Sequence, residues 1–176
     1  MRIIGGKYKG KRLNAPKTKA RPTTDFAKEA LFNILHHQID IEAIAVLDLF
    51  SGIGSVSFEF ASRGCADIWS VEKERRQTHF IHRTAGELEL DAIKVIQADV
   101  FSFLSTCQKQ FDIIFADPPY ASDFLLSVPD KVLSKNILLP GGMLIVEHDK
   151  FTDFSSHPNF ESMRKYGNVQ FSFFEK

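Results

Sequence analysis

The residues best suited to chemistry are Asp117-Pro118-Pro119-Tyr120, which directly follow the apolar run 111–116. An acidic residue, two prolines and an aromatic ring at the end of a buried strand form a rigid polar ledge beside a flat hydrophobic surface. The prolines restrict the backbone and lack N–H donors, so carbonyl groups here stay available as acceptors. Such a ledge can hold an exocyclic amine while the ring that carries it stacks. The chemistry that needs this geometry is transfer of a methyl group to a planar nitrogen.

A second segment, Asp48-Leu49-Phe50-Ser51-Gly52-Ile53-Gly54, lies where the first predicted parallel strand meets its helix. Gly52 and Gly54 allow a sharp turn and a close approach of the backbone to a ligand. The pattern is looser than the dinucleotide fingerprint, because Ser57 stands where the third glycine of that motif belongs. Taken alone, the segment also fits a plain strand-to-helix turn.

Two more acidic residues end the next two predicted strands. Glu72 follows the glycine turn by about twenty residues, where doubly wound folds place an acid that binds ribose hydroxyls. Asp99, next to Val100, can accept a hydrogen bond from an adenine amino group, and it can also cap the helix that follows. Glu147-His148-Asp149 ends a later strand, and we interpret it as a polar strand end rather than a substrate contact.

Four carboxylates therefore stand at the carboxyl ends of four successive predicted strands, where ligands of open α/β sheets bind. They belong to Asp48, Glu72, Asp99 and Asp117. An acid-lined site would repel the phosphates of a dinucleotide or a nucleoside triphosphate. It suits a nucleoside that carries positive charge, and S-adenosylmethionine carries such charge on its sulfonium and amino groups.

Strands and helices alternate along most of the chain, which predicts a mostly parallel sheet with helices on both faces. A hairpin at the end of the chain breaks the alternation and predicts an antiparallel edge strand. The strands are predicted at 44–49, 67–72, 93–97, 111–116, 143–147, 161–166 and 169–174. The helices are predicted from Thr23 or Thr24 to about 35, and at 55–63, 74–88, 100–106 and 124–134, the last of these ending before 138–142. A loop is predicted at 148–159.

The basic residues are concentrated at the start of the chain, although the net charge of the 176 residues is +0. Residues 1–24 carry eight basic and no acidic residues, whereas the remainder carries 14 basic and 22 acidic ones. Apolar residues interleaved with the basic ones predict a β-hairpin over 2–13, followed by an irregular linker over 14–22. We therefore divide the chain into a basic arm, 1–24, suited to a phosphate backbone, and an α/β domain, 25–176.

Length and composition are those of one globular domain, with 44% hydrophobic and 25% charged residues. The two cysteines, Cys65 and Cys107, lack zinc spacing, and His79 and His82 have no third ligand nearby, so we expect no metal. No apolar run reaches the length of a membrane span and no apolar signal region is visible, so we expect a cytoplasmic protein.

The motifs together resemble the class I S-adenosylmethionine-dependent amino-methyltransferases, through the glycine turn, Ser62-Arg63-Gly64 and the Asp-Pro-Pro-Tyr ledge. Three N-terminal segments narrow the resemblance to the RsmD family, which methylates guanine N2 in small-subunit ribosomal RNA. These segments are Arg2-Ile3-Ile4-Gly5-Gly6 with Lys9-Gly10-Lys11-Arg12-Leu13, then 21–25, and 28–35. The similarity runs from the first residues to Tyr166-Gly167, and one departure is Phe26, where many members have arginine.

The resemblance implies a Rossmann-like fold, a role for each motif and S-adenosylmethionine as cofactor, without a metal. The implied catalytic residues are Asp117, Pro118 and Tyr120. The implied cofactor-binding residues are Thr23, Asp48, Phe50, Gly52, Gly54, Glu72, Lys73, Asp99, Val100 and Asp117. The implied RNA-binding residues are Arg2, Lys7, Lys9, Lys11, Arg12 and Arg21.

The partner implied is ribosomal RNA within a small-subunit ribonucleoprotein particle, bound by a monomer. Two other functions stay open from the sequence alone. One is methylation of adenine N6 in DNA or of a protein glutamine by the same ledge. The other is a catalytically silent RNA-binding factor for ribosome assembly.

Overall fold

The computed structural model describes residues 1–16 and 24–176. The helices are α1 (Asp25–Gln38), α2 (Ser55–Ser62), α3 (Arg75–Glu87), α4 (Val100–Thr106) and α5 (Val128–Leu133). The strands are β1 (Ala45–Leu49), β2 (Asp67–Glu72), β3 (Ile93–Gln97), β4 (Phe111–Ala116), β5 (Leu138–His148), β6 (Phe160–Tyr166) and β7 (Val169–Glu175). Within those described ranges, no helix is both long and apolar enough to cross a membrane.

The seven strands form one sheet in the order β3-β2-β1-β4-β5-β7-β6. The pairs among β1 to β5 are parallel, and β7 runs antiparallel between β5 and β6. The predicted sheet, mostly parallel with antiparallel pairing at one edge, is confirmed. The strand that opposes the others is β7, next to the edge, because the short turn at Gly167-Asn168 joins antiparallel neighbours.

Two predicted elements differ from the structure by more than a few residues at their ends, and both contain or adjoin prolines. The helix predicted over 124–134 is a 3₁₀ turn at Leu125–Ser127 followed by α5, whose first turn contains Pro129. Proline is tolerated in the first helical turn and not in a helix interior. Residues 138–142, which the prediction left outside the strand at 143–147, belong to β5. Its residues 139–142, which include Pro140, bulge out between the pairs Leu138–Phe111 and Met143–Ile113.

Both faces of the sheet are buried at its central strands β1 and β4, which explains why most residues of these two strands are apolar. Val46 and Ile113 belong to the core beneath α1, α2 and α3, whereas Leu47 and Ile114, the next residues along each strand, belong to the core beneath α4 and α5. This two-sided packing holds the carboxyl ends of the strands in fixed positions relative to one another.

The predicted N-terminal hairpin is present and is docked on the domain. Arg2 and Arg12 pair in antiparallel fashion, and Ile3 N–H donates to the Lys11 carbonyl at 2.9 Å. Ile3 and Leu13 are buried in the core shared with α1. The hairpin is therefore packed on the helical layer, while the boundary after residue 24 stays a prediction, because the structure does not describe residues 17–23.

A buried ionic cluster fixes the hairpin to the helices. Glu59, in the middle of α2, is fully buried, and its carboxylate accepts hydrogen bonds from Ile4 N–H at 2.7 Å and from Lys28 Nζ at 3.1 Å. The same carboxylate pairs with Arg63. Lys28, equally buried, also donates to the Arg2 carbonyl at 2.6 Å. One acid thus compensates two cations and holds the first hairpin strand.

Removal of this acid should destabilise the whole protein. In Glu59→Gln, the buried Lys28 would lose its close partner and keep only Asp25, a partly exposed acid at 3.7 Å. We therefore expect a loss of about 3–5 kcal/mol in the free energy of unfolding, measured with urea. The matched control is Glu87→Gln, because Glu87 forms an exposed pair with Arg83 at 3.4 Å; it should cost about 0.5 kcal/mol or less. Equal effects of the two substitutions would contradict the role given to the cluster.

Candidate active site

The structure brings the four predicted carboxylates to one edge of the sheet, which we call the site edge. Asp99 follows β3, Glu72 ends β2, Asp48 is the fourth residue of β1 and Asp117 follows β4. Because β3, β2, β1 and β4 are consecutive neighbours in the sheet, the carboxylates stand in a row in that order. The chain therefore builds the acid-lined edge at the carboxyl ends of its strands, where such folds bind ligands.

The glycine turn at the site edge is held by Glu72. One carboxylate oxygen of Glu72 accepts from Gly52 N–H at 2.9 Å and the other accepts from Glu74 N–H at 2.8 Å. Gly52 and Gly54 have φ angles of 55° and 75°, in the left-handed region that favours glycine. A side chain at Gly54 would also meet Ile81 Cγ1 at 3.0 Å. Gly54 thus permits close packing of α2 on α3, and Gly52 shapes the turn.

Asp48 lies beneath this turn and is fully buried. Its Oδ2 accepts hydrogen bonds from Ser57 N–H at 3.1 Å and from Ser57 Oγ at 2.5 Å, so it fastens the first turn of α2 to β1. Burial, together with the charges of Glu72 and Glu147, raises the pKa of Asp48 to about 7. The contacts seen are internal, and a direct contact between Asp48 and a cofactor stays a prediction.

Asp99 is exposed, and it caps α4 with one of its two carboxylate oxygens. Its Oδ1 accepts from Phe101 N–H and Ser102 N–H, both at 3.0 Å, at the start of α4. The other oxygen has no hydrogen-bond partner among the described residues, so it can accept from an adenine amine. The side chain of Val100 is buried in the core and leaves only backbone for a ligand, and Lys73 is exposed.

Three phenylalanine rings cluster between the glycine turn and the ledge. Phe50, a non-glycine residue with a φ of 58°, lies parallel to Phe124 at 5.9 Å between ring centroids. Phe101 meets both rings edge-on. Since Phe101 follows Asp99 and Phe124 follows the ledge, this cluster forms an apolar wall beside the predicted adenine position.

Tyr120 of the ledge is hydrogen-bonded to a buried carboxylate of the neighbouring strand β5. Tyr120 Oη donates to Glu147 Oε1 at 2.8 Å, and Glu147 is buried at the end of β5. Burial, then the charges of Glu147 and Asp48, raise the pKa of Asp117 well above its usual range. Burial and the same acidic neighbourhood raise the pKa of Tyr120. The phenol therefore stays protonated and acts as a donor, with its ring still partly exposed.

Glu147 is the site residue that our interpretation of the sequence missed. It ends a parallel strand, as the four recognised acids do, and the same rule about strand ends would have included it. Its bond to Tyr120 joins residues 27 positions apart, which no local pattern reveals. Glu147 is therefore not only a polar residue at a strand end, because it also binds the Tyr120 hydroxyl.

The basic residues of the arm spread over its length. Arg2, Lys7, Lys9, Lys11 and Arg12 are all exposed, and Arg2 Nε donates to Asp25 at 2.9 Å. The turn of the hairpin rests on the ends of α2 and α3, where Lys7 N–H donates to the Ser62 carbonyl and Tyr8 Oη donates to the Leu88 carbonyl. These helices begin at the site edge, so Lys7 and Lys9 lie towards the opposite edge. Arg21 and Thr23 lie outside the described residues.

The chemistry of these residues fits S-adenosylmethionine. The carboxylates of the site edge suit its positive charge, and Asp99 offers an acceptor for its adenine. Ser55 adds a hydroxyl at the start of α2, beside the glycine turn, that is buried without a hydrogen-bond partner in the described part of the chain. A buried orphan hydroxyl at a helix N-terminus can bind the carboxylate of a methionine moiety.

One cleft of the molecule lies away from the site edge. A cleft of about 740 Å³ lies at the opposite edge, between the hairpin and the end of α1, and is lined by exposed groups such as His36, His37 and Asp40. It contains none of the predicted site residues. Among the residues that the structure describes, no three His, Cys, Asp or Glu side chains are grouped to hold a metal ion.

Comparison with known proteins assigns the family. The chain matches the family model described as "Conserved hypothetical protein 95" over residues 1–175. It is 31% identical over 150 residues to the ribosomal RNA small subunit methyltransferase D of Buchnera aphidicola subsp. Baizongia pistaciae, a match that covers 85% of this chain and 76% of the relative. The protein of the same name from Escherichia coli K12 is 30% identical over 150 residues, with 85% and 75% covered.

Solved structures share the fold of this chain. A hypothetical protein of Thermus thermophilus superposes with a TM-score of 0.89 at 29% identity, covering 100% of this chain and 99% of that one. The 16S rRNA N2 G1207 methyltransferase RsmC of T. thermophilus, solved with AdoMet and guanosine, gives a TM-score of 0.72 over 90% of this chain and 45% of that one. At 20% identity, this second likeness shows the fold alone. The chain has the Rossmann-like fold of class I methyltransferases and belongs to the conserved hypothetical protein 95 family, which is the family of the ribosomal RNA small subunit methyltransferases D.

Proposed function

We propose that this protein transfers a methyl group from S-adenosylmethionine to the exocyclic N2 amine of a guanine in small-subunit ribosomal RNA. The observation that carries the proposal is the ledge itself, where Asp117 and Tyr120 stand beside the row of carboxylates on one edge of the sheet. The named relatives supply the substrate class. They do not favour a silent assembly factor, or a methyltransferase for DNA adenine or protein glutamine.

The ledge accounts for how a guanine amine is held. The target base must leave its stack to reach the site, and the exposed face of Tyr120 offers a surface for it. Asp117 and the Pro118 carbonyl then accept hydrogen bonds from N2, which orients the nitrogen lone pair for in-line attack. Alignment of this kind supplies much of the rate. Since a carboxylate with a raised pKa is a better base, Asp117 is also suited to take the proton that the amine loses.

Glu147 keeps the ledge in position in this mechanism. Because the Tyr120 hydroxyl donates to the buried Glu147 carboxylate at 2.8 Å, the ring has a fixed orientation. Glu147 therefore acts as a positioning residue, and its charge adds to the effect of burial in raising the pKa of Asp117.

The remaining site residues bind the cofactor. S-adenosylmethionine, when bound, supplies the methyl group on a positively charged sulfur. Glu72 would hold the ribose, and Asp99 with the Val100 backbone would hold the adenine beside the aromatic wall of Phe50. The glycine turn and Ser55 at the start of α2 would hold the methionine part. The negative edge favours this cation.

The exposed cations of the arm would bind RNA phosphates along the hairpin. We further propose that the substrate is a small-subunit ribonucleoprotein particle in the cytoplasm, bound by a monomer. The direct test is incubation of labelled cofactor with particles from cells that lack the protein, followed by mapping of the modified base. Label on a guanine N2 is expected, and label on another atom or on protein would overturn the proposal.

Loss of the ledge carboxylate should abolish methyl transfer without loss of cofactor binding. For Asp117→Ala we expect kcat to fall by about 10³-fold, because an acceptor aimed at the reacting amine is lost. The affinity for S-adenosylmethionine, measured by calorimetry, should change by less than about tenfold, since three carboxylates of the row remain. Asp123→Ala, an exposed acid in the loop that follows, is the matched control and should keep full activity.

The pH dependence of the reaction should respond to Glu147. The amine needs an ionised Asp117, so kcat/KM should rise with pH through the raised pKa of that group. Glu147→Gln removes a neighbouring negative charge while it keeps an acceptor for Tyr120. The pKa of Asp117 should then fall, and the acidic limb of the pH–rate profile should move to lower pH. An unmoved limb, or one that moves to higher pH, would show that Glu147 does not act on Asp117.

The basic arm should contribute to RNA binding through its positive charges. In Lys9→Ala/Lys11→Ala/Arg12→Ala, RNA binding should weaken and the slope of log K against log salt should become less steep by about 2–3, because up to three phosphate contacts are lost. Lys94, Lys135 and Lys176, exposed lysines outside the arm, provide the control triple variant. An unchanged slope in the arm variant would count against this interface.

A further inference from the structure

Exposed aromatic rings are concentrated at the site edge. Five large hydrophobic side chains are exposed within residues 1–16 and 24–176, and three of them are aromatic: Phe26, Tyr120 and Phe151. Tyr120 follows β4, and Phe151 follows β5. Phe26 contacts Tyr166, the last residue of β6. Single exposed apolar residues are common on proteins, but three rings that share one edge with the ledge require an explanation.

Phe151 is the most exposed of these rings and has a rigid support. Its side chain is 83% exposed, and Lys150 Nζ lies 5.0 Å from the ring centroid. Asp149 Oδ1 accepts hydrogen bonds from Phe151 N–H at 3.1 Å and from Thr152 Oγ1 at 3.0 Å. The loop thus presents an apolar ring and a cation to solvent, beside the Asp149 carboxylate and four residues beyond Glu147.

Phe26, near the end of β6, also combines an exposed ring with a nearby cation. It lies in the first turn of α1, is 63% exposed, and meets Tyr166 edge-on at 6.1 Å. Its neighbour Asp25 pairs with Arg2 of the hairpin at 2.9 Å, so a cation lies close to this ring too. The adjoining end of β6 adds exposed Arg164 and Lys165.

The site edge therefore has two halves of different chemistry. The half formed by the ends of β3, β2, β1, β4 and β5 carries the row of carboxylates, which would repel RNA phosphates. The half formed by β7, β6 and the loop after β5 carries exposed rings with basic side chains beside them, together with the hydrogen-bonded acids Asp149 and Asp25. Rings that stack with bases, combined with cations that track the backbone, are the means by which proteins bind single-stranded nucleic acid. Tyr120 stands at the boundary between the halves.

We propose that Phe26 and Phe151 stack on unpaired RNA bases next to the target guanine, with Lys150 and Arg2 facing the adjacent phosphates. This inference rests on the proposed function in one respect, that the guanine binds at Tyr120. Stacking would hold the strand in an unpaired conformation and so reduce the cost of extracting the target base. The basic side chains around both rings favour RNA over an apolar protein partner.

Fluorescence anisotropy with a labelled twelve-nucleotide oligouridylate tests the surface without the methylation reaction. Phe151→Ala and Phe26→Ala should each weaken binding about tenfold, the loss of one stacked base. The salt slope should not change, because no phosphate contact is lost. Phe151→Trp should bind within about twofold of the native protein, and Lys150→Ala should flatten the salt slope instead. Met163→Ala, exposed on β6 but away from the edge, should have no effect.

The outcomes separate this inference from the proposed function. Native affinity in both alanine variants, or no binding of the oligouridylate by the native protein, would overturn the stacking surface even if guanine methylation is intact. Ring-dependent binding without methylation of ribosomal particles would instead overturn the proposed function and leave the surface standing. Circular dichroism and the affinity for S-adenosylmethionine should match the native protein in every variant, because both rings are exposed.

Discussion

Mutual repulsion among buried carboxylates is the constraint on which the site depends. Burial raises the pKa of Asp48 and of Asp117, and the charge of Glu147 raises both further. Ser57 and Tyr120 offset part of this cost through hydrogen bonds. A fold gains no stability from such an arrangement. Its benefit arises when a cationic ligand binds, because a nearby opposite charge favours the ionised carboxylates.

The sheet makes this arrangement possible. Helices cover both faces, so the strand ends are held rigidly, and the parallel order β3-β2-β1-β4-β5 places one acid at each strand end. Next to β5 in the sheet, β7 runs in the opposite direction. From there to the edge strand β6, the site edge presents exposed rings and basic side chains in place of the row of acids. The cofactor and the RNA therefore approach different halves of the same edge, and the ledge at the end of β4 is where the two halves meet.

Much of this could be predicted from the sequence, because parallel strands separated by helices place their carboxyl ends together. Asp48, Glu72, Asp99 and Asp117 were therefore placed at the site edge correctly, whereas Glu147, which also follows an apolar run, was missed. Contacts that join distant residues could not be predicted. The bond from Tyr120 to Glu147, the stacking of Phe50 on Phe124 and the burial of Lys28 against Glu59 depend on how helices and loops pack over the sheet. Lys28 in particular carries a charge that the helical pattern alone would place in solvent.

The most direct test of the central claim compares the affinities of S-adenosylmethionine and S-adenosylhomocysteine across pH by calorimetry. The two ligands differ in the methyl group and in the positive charge on sulfur. As pH rises through the raised pKa values of Asp48, about 7, and Asp117, the edge gains negative charge. We expect the preference for S-adenosylmethionine to increase over that range, with protons released as it binds. A preference that is constant or decreases with pH would contradict the claim that buried carboxylates select a cationic nucleoside.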